Sequence, residues 1–301
     1  MYFFDLHCDT VCEMEKQSKS LFDNDLAISL KKASNIDRWV QTFAIFIHDK
    51  FADDEKRMVF EKQNFVLKNE IEKNSLQSFS VDNKSDISII KSIENASFIN
   101  DDLDYIEILA KEGFRLATLT WNAQNVYAGG AESDEGISSL GKEAVKRFNE
   151  CSITLDVSHL SDKSFYDLVK ISDKPFIASH SNARAVCNHR RNLTDDMLLE
   201  IADRGGVVGL NFYTLFLAEE KPKKEDILRH AEHIIKLCGE NILAIGSDFD
   251  GADMPDDLKS IEDIEILYQL MVQYFGKQLT DKIFFENACS FFKRVSNNYI
   301  S

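Results

Sequence analysis

Proline and glycine are scarce in this sequence, which has 3 prolines and 12 glycines among 301 residues. Flexible linkers are rich in such residues, so the composition argues against small domains joined by long linkers. No apolar run reaches the roughly 20 residues of a membrane-spanning helix. The N-terminus also lacks the basic and apolar regions of an export signal. We therefore expect a cytoplasmic protein with no membrane partner.

Basic residues and paired cysteines are also under-represented. The chain has 35 Lys and Arg against 51 Asp and Glu, a formal net charge of −16. This charge excludes nucleic acid and an anionic membrane surface as expected partners, because both attract basic proteins. No CxxC motif occurs, so reduced thiols in a cytoplasmic protein are predicted for the cysteines at positions 8, 12, 151, 187, 238 and 289.

Hydrophobic residues make up 44% of the chain, enough for a sizeable core. Buried-strand patterns begin near residues 2, 39, 86, 114, 152, 175, 207 and 241. Helical patterns separate most of them, and repeated βα units predict a parallel sheet. Eight such units in this length predict an α/β fold of the (β/α)8 TIM-barrel type, with residues 1–301 as a single catalytic domain.

Polar side chains stand at the carboxyl ends of the predicted strands. In a closed barrel these ends surround one mouth, where the active sites of this fold lie. A strand-end histidine by itself is more often a hydrogen-bonded structural residue, but the coincidence over five strands favours a site. The residues are His7 and Asp9 on the first strand, Glu94 on the third, His159 on the fifth, His180 on the sixth and Asp248 on the eighth.

Imidazole and carboxylate groups together are typical ligands of zinc, with manganese and cobalt as alternatives. Glu94 stands alone on its strand and has two carboxylate oxygens. It is therefore suited to bridge one ion held by His7 and Asp9 and a second held by His159 and His180. Two such ions would activate a shared water molecule and polarise a substrate carbonyl.

Several motifs in this order and spacing resemble the membrane (renal) dipeptidase family, the M19 zinc peptidases with an amidohydrolase-like barrel, in its bacterial form. The resemblance extends nearly from end to end. It is carried by Asp5-Leu-His-Cys-Asp9, Ser92-Ile-Glu-Asn95, Leu119-Thr-Trp-Asn122, Asp156-Val-Ser-His-Leu-Ser161, Ser179-His-Ser-Asn-Ala-Arg184 with Arg190-Arg-Asn192, and Gly246-Ser-Asp-Phe-Asp-Gly251.

The resemblance implies a binuclear zinc dipeptidase that hydrolyses short unblocked dipeptides through a metal-bridged hydroxide. It assigns the two zinc ions to the same ligands as above. Asp248 would contact the substrate and move a proton from the bridging water to the leaving amine. Arg191 would bind the free carboxylate of the dipeptide, for which a guanidinium is well suited; a surface ion pair is its alternative. A homodimer is also consistent with the family.

The sequence departs from the family pattern at two positions. Asn95 follows Glu94 where the family usually has glycine, and Trp121 replaces a histidine that contacts substrate in mammalian members. Asn122 or His48 is a candidate replacement donor, although His48 is predicted to be a surface residue. For Asn211 and Tyr213, after the seventh strand, we expect core or supporting positions.

Two other functions remain open from the sequence. The same site could belong to an N-acyl amino acid deacylase or a lactamase-like amidohydrolase. A protein that binds metal without catalysis is a third reading, motivated by Trp121, but the predicted ligands and Asp248 are all present.

Overall fold

The computed structural model describes residues 1–80 and 85–297, and the side chains of all of these except Asn297. Its strands are parallel, as the alternation of strands and helices predicts. They are β1 (Tyr2–Cys8), β2 (Arg38–Phe46), β3 (Gln77–Ser78), β4 (Ile87–Glu94), β5 (Phe114–Thr118), β6 (Thr154–Asp156), β7 (Val208–Leu210) and β8 (Leu243–Ile245).

The sheet curls into a (β/α)8 barrel. Its order is β6-β5-β4-β2-β1-β8-β7, and the short β3 pairs with β4 beside this path. The sixth predicted strand, near residues 175–180, is reduced to single bridges: Ile177 pairs with Asp156, and Ala178 pairs with Val208. These two bridges join β6 to β7 and close the barrel, so the predicted fold class is confirmed although this strand is much shorter than predicted.

Glycines explain how the barrel closes so tightly at this point. A Cβ atom at Gly209 or Gly246 would lie 1.8 or 1.7 Å from the carbonyl oxygen of Ser179. Only glycine permits so close an approach of the backbones. The segment that carries His180 is therefore held directly against β7 and β8.

Helices cover the outside of the barrel, and their apolar faces pack against the strands. None of those found in the described ranges is long and apolar enough to cross a membrane. The α-helices are α1 (Thr10–Gln17), α2 (Asp53–Lys73), α3 (Tyr105–Lys111), α4 (Ser139–Glu150), α5 (Asp162–Ile171), α6 (Asp195–Asp203), α7 (Thr214–Leu217), α8 (Lys224–Cys238), α9 (Ile264–Phe275), α10 (Lys277–Asp281) and α11 (Asn287–Asn297).

His230 on α8 is a fully buried packing residue. Its Nε2–H donates to the carbonyl oxygen of Leu217 at 3.0 Å, and its Nδ1 accepts the N–H of Ala183 at 3.2 Å. Both ring nitrogens are thus used by a neutral imidazole. Burial lowers the pKa of His230 to about 4.

Acid should destabilise the fold through His230. Between pH 6.5 and about 4 the unfolded chain binds a proton that the folded chain does not, so the free energy of unfolding falls as the pH falls. The full loss is roughly 3 kcal/mol. In urea unfolding, His230→Gln should lose that much less stability than the wild type between pH 7 and pH 4. Parallel stability curves for the two proteins would contradict the assignment.

Candidate metal centre

His7 and Asp9 come together at the carboxyl end of β1. The pairing of β1 with β2 shifts by one residue between Asp5 and Cys8, which marks a β-bulge of the kind that redirects side chains near active sites. Beyond it, Nε2 of His7 lies 3.3 Å from Oδ2 of Asp9 and 3.5 Å from Oε2 of Glu94. The N–H of Asp9 donates to the carbonyl oxygen of Phe249, which ties this end of β1 to the loop after β8.

Asp5, two residues before His7 on β1, holds this end of the strand in place through hydrogen bonds. Its carboxylate accepts the backbone N–H of His7, the backbone N–H and hydroxyl of Ser247, and the side-chain amide of Gln41. Burial raises the pKa of Asp5 to about 6. Residues 5, 7 and 9 are spaced two apart in the sequence, so the spacing that selected His7 and Asp9 could also have found Asp5.

The two carboxylate oxygens of Glu94 face different histidines. Its Oε1 lies 2.8 Å from Nε2 of His159, whereas its Oε2 faces Nε2 of His7 at 3.5 Å. Nε2 of His159 is 2.9 Å from Nε2 of His180. The rings of His7 and His180 stack with their centroids 3.8 Å apart. The structure thus brings the five predicted ligands into one buried cluster, with Glu94 at its centre.

The outer nitrogens of His159 and His180 are fixed by neighbouring side chains. Nδ1 of His159 lies 2.9 Å from Oδ1 of Asn122, and Nδ1 of His180 lies 2.6 Å from the hydroxyl of Ser179. That hydroxyl also bonds to Asp156. A carbonyl oxygen accepts only, so the proton of His159 is on Nδ1 and its Nε2 lone pair points into the cluster. Such outer hydrogen bonds commonly orient imidazole ligands.

Two carboxyl groups of the cluster, those of Glu94 and Asp248, are destabilised in their ionised form. Burial and the charges of Asp9 and Asp248 raise the pKa of Glu94 to about 8. Burial also raises the pKa of Asp248. Oδ1 of Asp9 is buried and has no hydrogen-bond partner within residues 1–80 and 85–297. A divalent cation would supply the missing partner and relieve the repulsion, so these residues fit a metal site.

The imidazole groups also fit a metal site. Burial lowers the pKa of His159 and of His180 well below the usual value, which keeps both rings neutral. For His7, burial also acts to lower the pKa, but Asp9 and Glu94 outweigh it and the pKa is raised well above its usual value. The groups that can hold an ion are His7, Asp9 and Glu94; Glu94, His159 and His180; and His7, His180 and Asp248.

Asp248 lies at the edge of the cluster and not in its centre. Its Oδ1 is 3.8 Å from Nε2 of His7, and its Oδ2 accepts the side-chain amide of Asn211 at 2.9 Å. Both Asp248 and His159 lie beyond the last strand residue and have positive φ angles of 64° and 73°. This uncommon backbone conformation for residues other than glycine turns both side chains toward the barrel mouth.

Gly251 leaves the space in which two of these carboxylates lie. A Cβ atom there would be 2.0 Å from Oδ2 of Asp9 and 2.9 Å from Oδ1 of Asp248. We expect Gly251→Ala to displace Asp9 and to weaken metal affinity about 10- to 100-fold, the effect usual for residues that orient ligands. The control is Gly239→Ala, where nothing lies within 4 Å but the φ of 85° strains an alanine, so it shows how a loss of stability away from the cluster affects metal affinity. Competition titration with a chelator checks this, and equal affinities for both variants would contradict it.

The cluster opens into a cavity of about 460 Å³, a volume typical of small-ligand sites. Arg191 lines this cavity although the residue is only 7% exposed. Its Nε and Nη2 have no hydrogen-bond partner in the described part of the chain, and burial lowers its pKa to about 10. A buried guanidinium with two nitrogens that lack hydrogen-bond partners is costly unless an anion binds to them.

The structure also locates the residues at which the sequence departs from the family. Asn95 has φ 72°, a conformation that asparagine tolerates better than most residues, so it can stand in place of glycine. Trp121, Asn122 and the partly exposed His48 all line the cavity. Tyr213 lines it as well, rather than lying in the core.

A (β/α)8 barrel with imidazole and carboxylate groups clustered at its mouth defines a metal-dependent hydrolase of the amidohydrolase-like class. The predicted family is confirmed as well: the chain belongs to the membrane dipeptidase family, peptidase family M19, whose model matches residues 1–299. It is therefore a hydrolase of peptide bonds, and the family implies a metal cofactor.

Solved structures and curated sequences agree with this membership. A metallopeptidase from Rhodobacter sphaeroides, liganded with a phosphinate mimic of the dipeptide L-Ala-D-Ala, is 26% identical, with a TM-score of 0.90 over 98% of this chain and 99% of that chain. The dipeptidase AC, also of family M19, is 27% identical, with a TM-score of 0.90 over 98% of both chains. An uncharacterised protein in the pqqA 5′ region of Klebsiella pneumoniae is 30% identical over 69% of this chain and 82% of its own.

Proposed function

We propose that this protein is a binuclear zinc dipeptidase that hydrolyses the amide bond of short, unblocked dipeptides. The observation that carries the proposal is the position of Glu94, whose Oε1 faces His159 at 2.8 Å and whose Oε2 faces His7 at 3.5 Å. A carboxylate between two imidazole groups in this way is suited to bridge two ions.

One zinc ion would be held by His7, Asp9 and Glu94, and the other by Glu94, His159 and His180. Zinc is chosen because these are its typical nitrogen and oxygen ligands. When bound, the ions supply Lewis acidity, which activates a shared water molecule as a hydroxide nucleophile and polarises the scissile carbonyl.

Asp248 is proposed as the group that moves the proton. It is buried beside the cluster, its Oδ2 is held by Asn211, and its Oδ1 faces the space next to His7. The raised pKa of its carboxyl favours proton uptake. Asp248 would take the proton of the attacking water and pass it to the leaving amine.

Arg191 is proposed to bind the free carboxylate of the dipeptide. Its unpartnered Nε and Nη2 atoms and its place in the cavity wall support this role. The dipeptide mimic in the Rhodobacter sphaeroides structure supports a ligand of this size at such a site.

The proposal predicts that zinc-reconstituted protein hydrolyses dipeptides and leaves their N-acetylated counterparts largely intact. A dipeptide library, with each member also in N-acetylated form, measures this directly. Faster turnover of the acetylated compounds would favour the alternative function, an N-acyl amino acid deacylase, over the dipeptidase. No turnover of any dipeptide would contradict the proposed activity.

Replacing Arg191 by methionine should lower kcat/KM for dipeptides with a free carboxylate by about 100-fold or more, because charged hydrogen bonds are lost. C-terminally amidated dipeptides should change little. Methionine avoids a buried, unpaired polar group in the variant. Equal losses on both kinds of substrate would show that Arg191 does not bind the carboxylate.

We further propose that residues 1–301 form one catalytic domain and that the protein acts in the cytoplasm. The family model over residues 1–299 supports the first proposal. The six free cysteine thiols support the second, since they suit a reducing compartment. The homodimer stays a prediction of the family resemblance.

A further inference from the structure

Three aromatic rings form one wall of the cavity, and we call them the aromatic shelf: Phe46 at the end of β2, His48 just after it, and Trp121 beyond β5. The Trp121 ring lies 4.6 Å from that of His48 and 5.2 Å from that of Phe46, centroid to centroid. On its other side it lies 6.1 Å from the ring of His159. The shelf therefore begins beside a proposed metal ligand and extends away from it.

Hydrogen bonds between loops hold the shelf in place. The carboxylate of Asp49 accepts the side-chain amide of Asn95 at 2.9 Å and the backbone N–H of Ala123 at 2.8 Å. These bonds connect the loops that carry His48 and Trp121. Nδ1 of His48 accepts the N–H of Lys50 at 3.0 Å, which fixes the imidazole plane. A surface held in this way binds a ligand without a large loss of conformational entropy.

The barrel order places Phe46 and His48 of the shelf across the barrel from the segment that leads to Arg191, and it places Trp121, after β5, between them. The segment at Ala178 lies between β6 and β7, and β2 lies across the barrel from it. Arg191 follows that segment, whereas Phe46 and His48 follow β2. The cluster around Glu94 lies between the two sides. A dipeptide with its carboxylate at Arg191 and its amide at the cluster would direct its N-terminal residue to the shelf.

Lys16, a cation on this side of the cavity, is already paired. Lys16 and Glu13 both line the cavity, and Nζ of Lys16 lies 2.8 Å from Oε1 of Glu13. The shelf itself presents planar rings, which favour aromatic and large apolar partners over small ones. An acidic side chain would have to compete with Glu13 for Lys16.

We propose that the aromatic shelf binds the side chain of the N-terminal residue and makes the protein selective for dipeptides with an aromatic or large apolar residue there. This inference rests on the proposed dipeptidase function and names the substrate class of that site. Trp121 is its central specificity residue, because its ring contacts both the other shelf rings and the imidazole of His159.

Phe-Gly and Ala-Gly test the inference, since glycine removes any stereochemical preference at the second residue. The wild type should prefer Phe-Gly by about tenfold or more in kcat/KM, as expected for added apolar groups in a pocket. Trp121→Ala should abolish the preference, mainly by raising KM for Phe-Gly, so that the ratio of kcat/KM for the two dipeptides falls to about one. His48→Phe should keep the preference because it keeps a planar ring.

Binding of phosphinate analogues of Phe-Gly and Ala-Gly to the zinc-loaded protein gives a readout independent of turnover. The sequence has 2 tryptophans, of which Trp39 is buried, so the fluorescence response should come from Trp121. Trp121→Leu should lose this response and the tighter binding of the Phe-Gly analogue. If Trp121→Ala does not fold, Trp121→Leu takes its place in the kinetic test. Phe65→Ala removes a ring that is 66% exposed on α2, away from the cavity, and is the matched control.

Equal losses on both substrates in Trp121→Ala, or no preference in the wild type, would overturn the inference while leaving the dipeptidase function intact. Failure of the wild type to hydrolyse either dipeptide would instead count against the proposed function. The two failures are therefore distinguishable.

Discussion

Replacing Glu94 by glutamine should release at least one of the two proposed metal ions and lower kcat/KM for dipeptides by about a thousandfold or more. Glutamine keeps the size of the side chain but has only one oxygen. It can therefore face His159 or His7, not both, whereas the two carboxylate oxygens of Glu94 face both. Metal content per chain and steady-state kinetics on the same preparation measure the two effects together.

The control for this variant is Glu61→Gln, at a glutamate of α2 whose side chain is 63% exposed. It makes the same chemical change away from the cavity and should keep both ions and full activity. If Glu94→Gln also kept two ions and full activity, Glu94 would not be the bridge between them.

Asp248→Asn should separate metal binding from catalysis. Asparagine can still accept the amide of Asn211, so the local structure and both ions should be retained. It cannot take up the proton of the attacking water, and general acid–base catalysis is typically worth about 10²- to 10⁴-fold. We expect kcat to fall within that range at unchanged metal content, as measured by steady-state kinetics with metal analysis.

Asp256→Asn is the matched control for Asp248→Asn, because this fully exposed aspartate follows the same strand, β8, and pairs only with Lys259 among the ion pairs found. Its kinetics should equal those of the wild type. Loss of a metal ion from Asp248→Asn would show that Asp248 is itself a ligand, as one of the possible metal-binding groups allows, and not only the group that moves the proton.

The fold could be predicted largely because buried strands and amphipathic helices leave strong local patterns. The helical pattern between the predicted strands near residues 39 and 86, for example, is observed as α2 (Asp53–Lys73). The segment near Pro175 was predicted as a full strand, yet it pairs only at Ile177 and Ala178. Its apolar residues correctly indicate that the segment is buried. The sequence does not show that Gly209 and Gly246 approach this segment so closely, or that few of its backbone groups pair there.

The candidate ligands could be predicted because barrel geometry converts strand ends into neighbours. Their supporting residues could not, apart from Asp5, which lies two residues before His7 on β1. Asn122 and Ser179 act through hydrogen bonds to outer imidazole nitrogens, and these depend on loop conformations. The inward position of His48 likewise depends on contacts with Trp121 and Lys50 from outside its own strand.

The most direct test of the proposed centre is anomalous X-ray diffraction at the zinc edge from crystals of the zinc-reconstituted protein. We predict two peaks on opposite sides of the Glu94 carboxylate. One should be bound by His7 and Asp9, and the other by His159 and His180. A single peak, or two peaks that do not share Glu94, would contradict the binuclear centre.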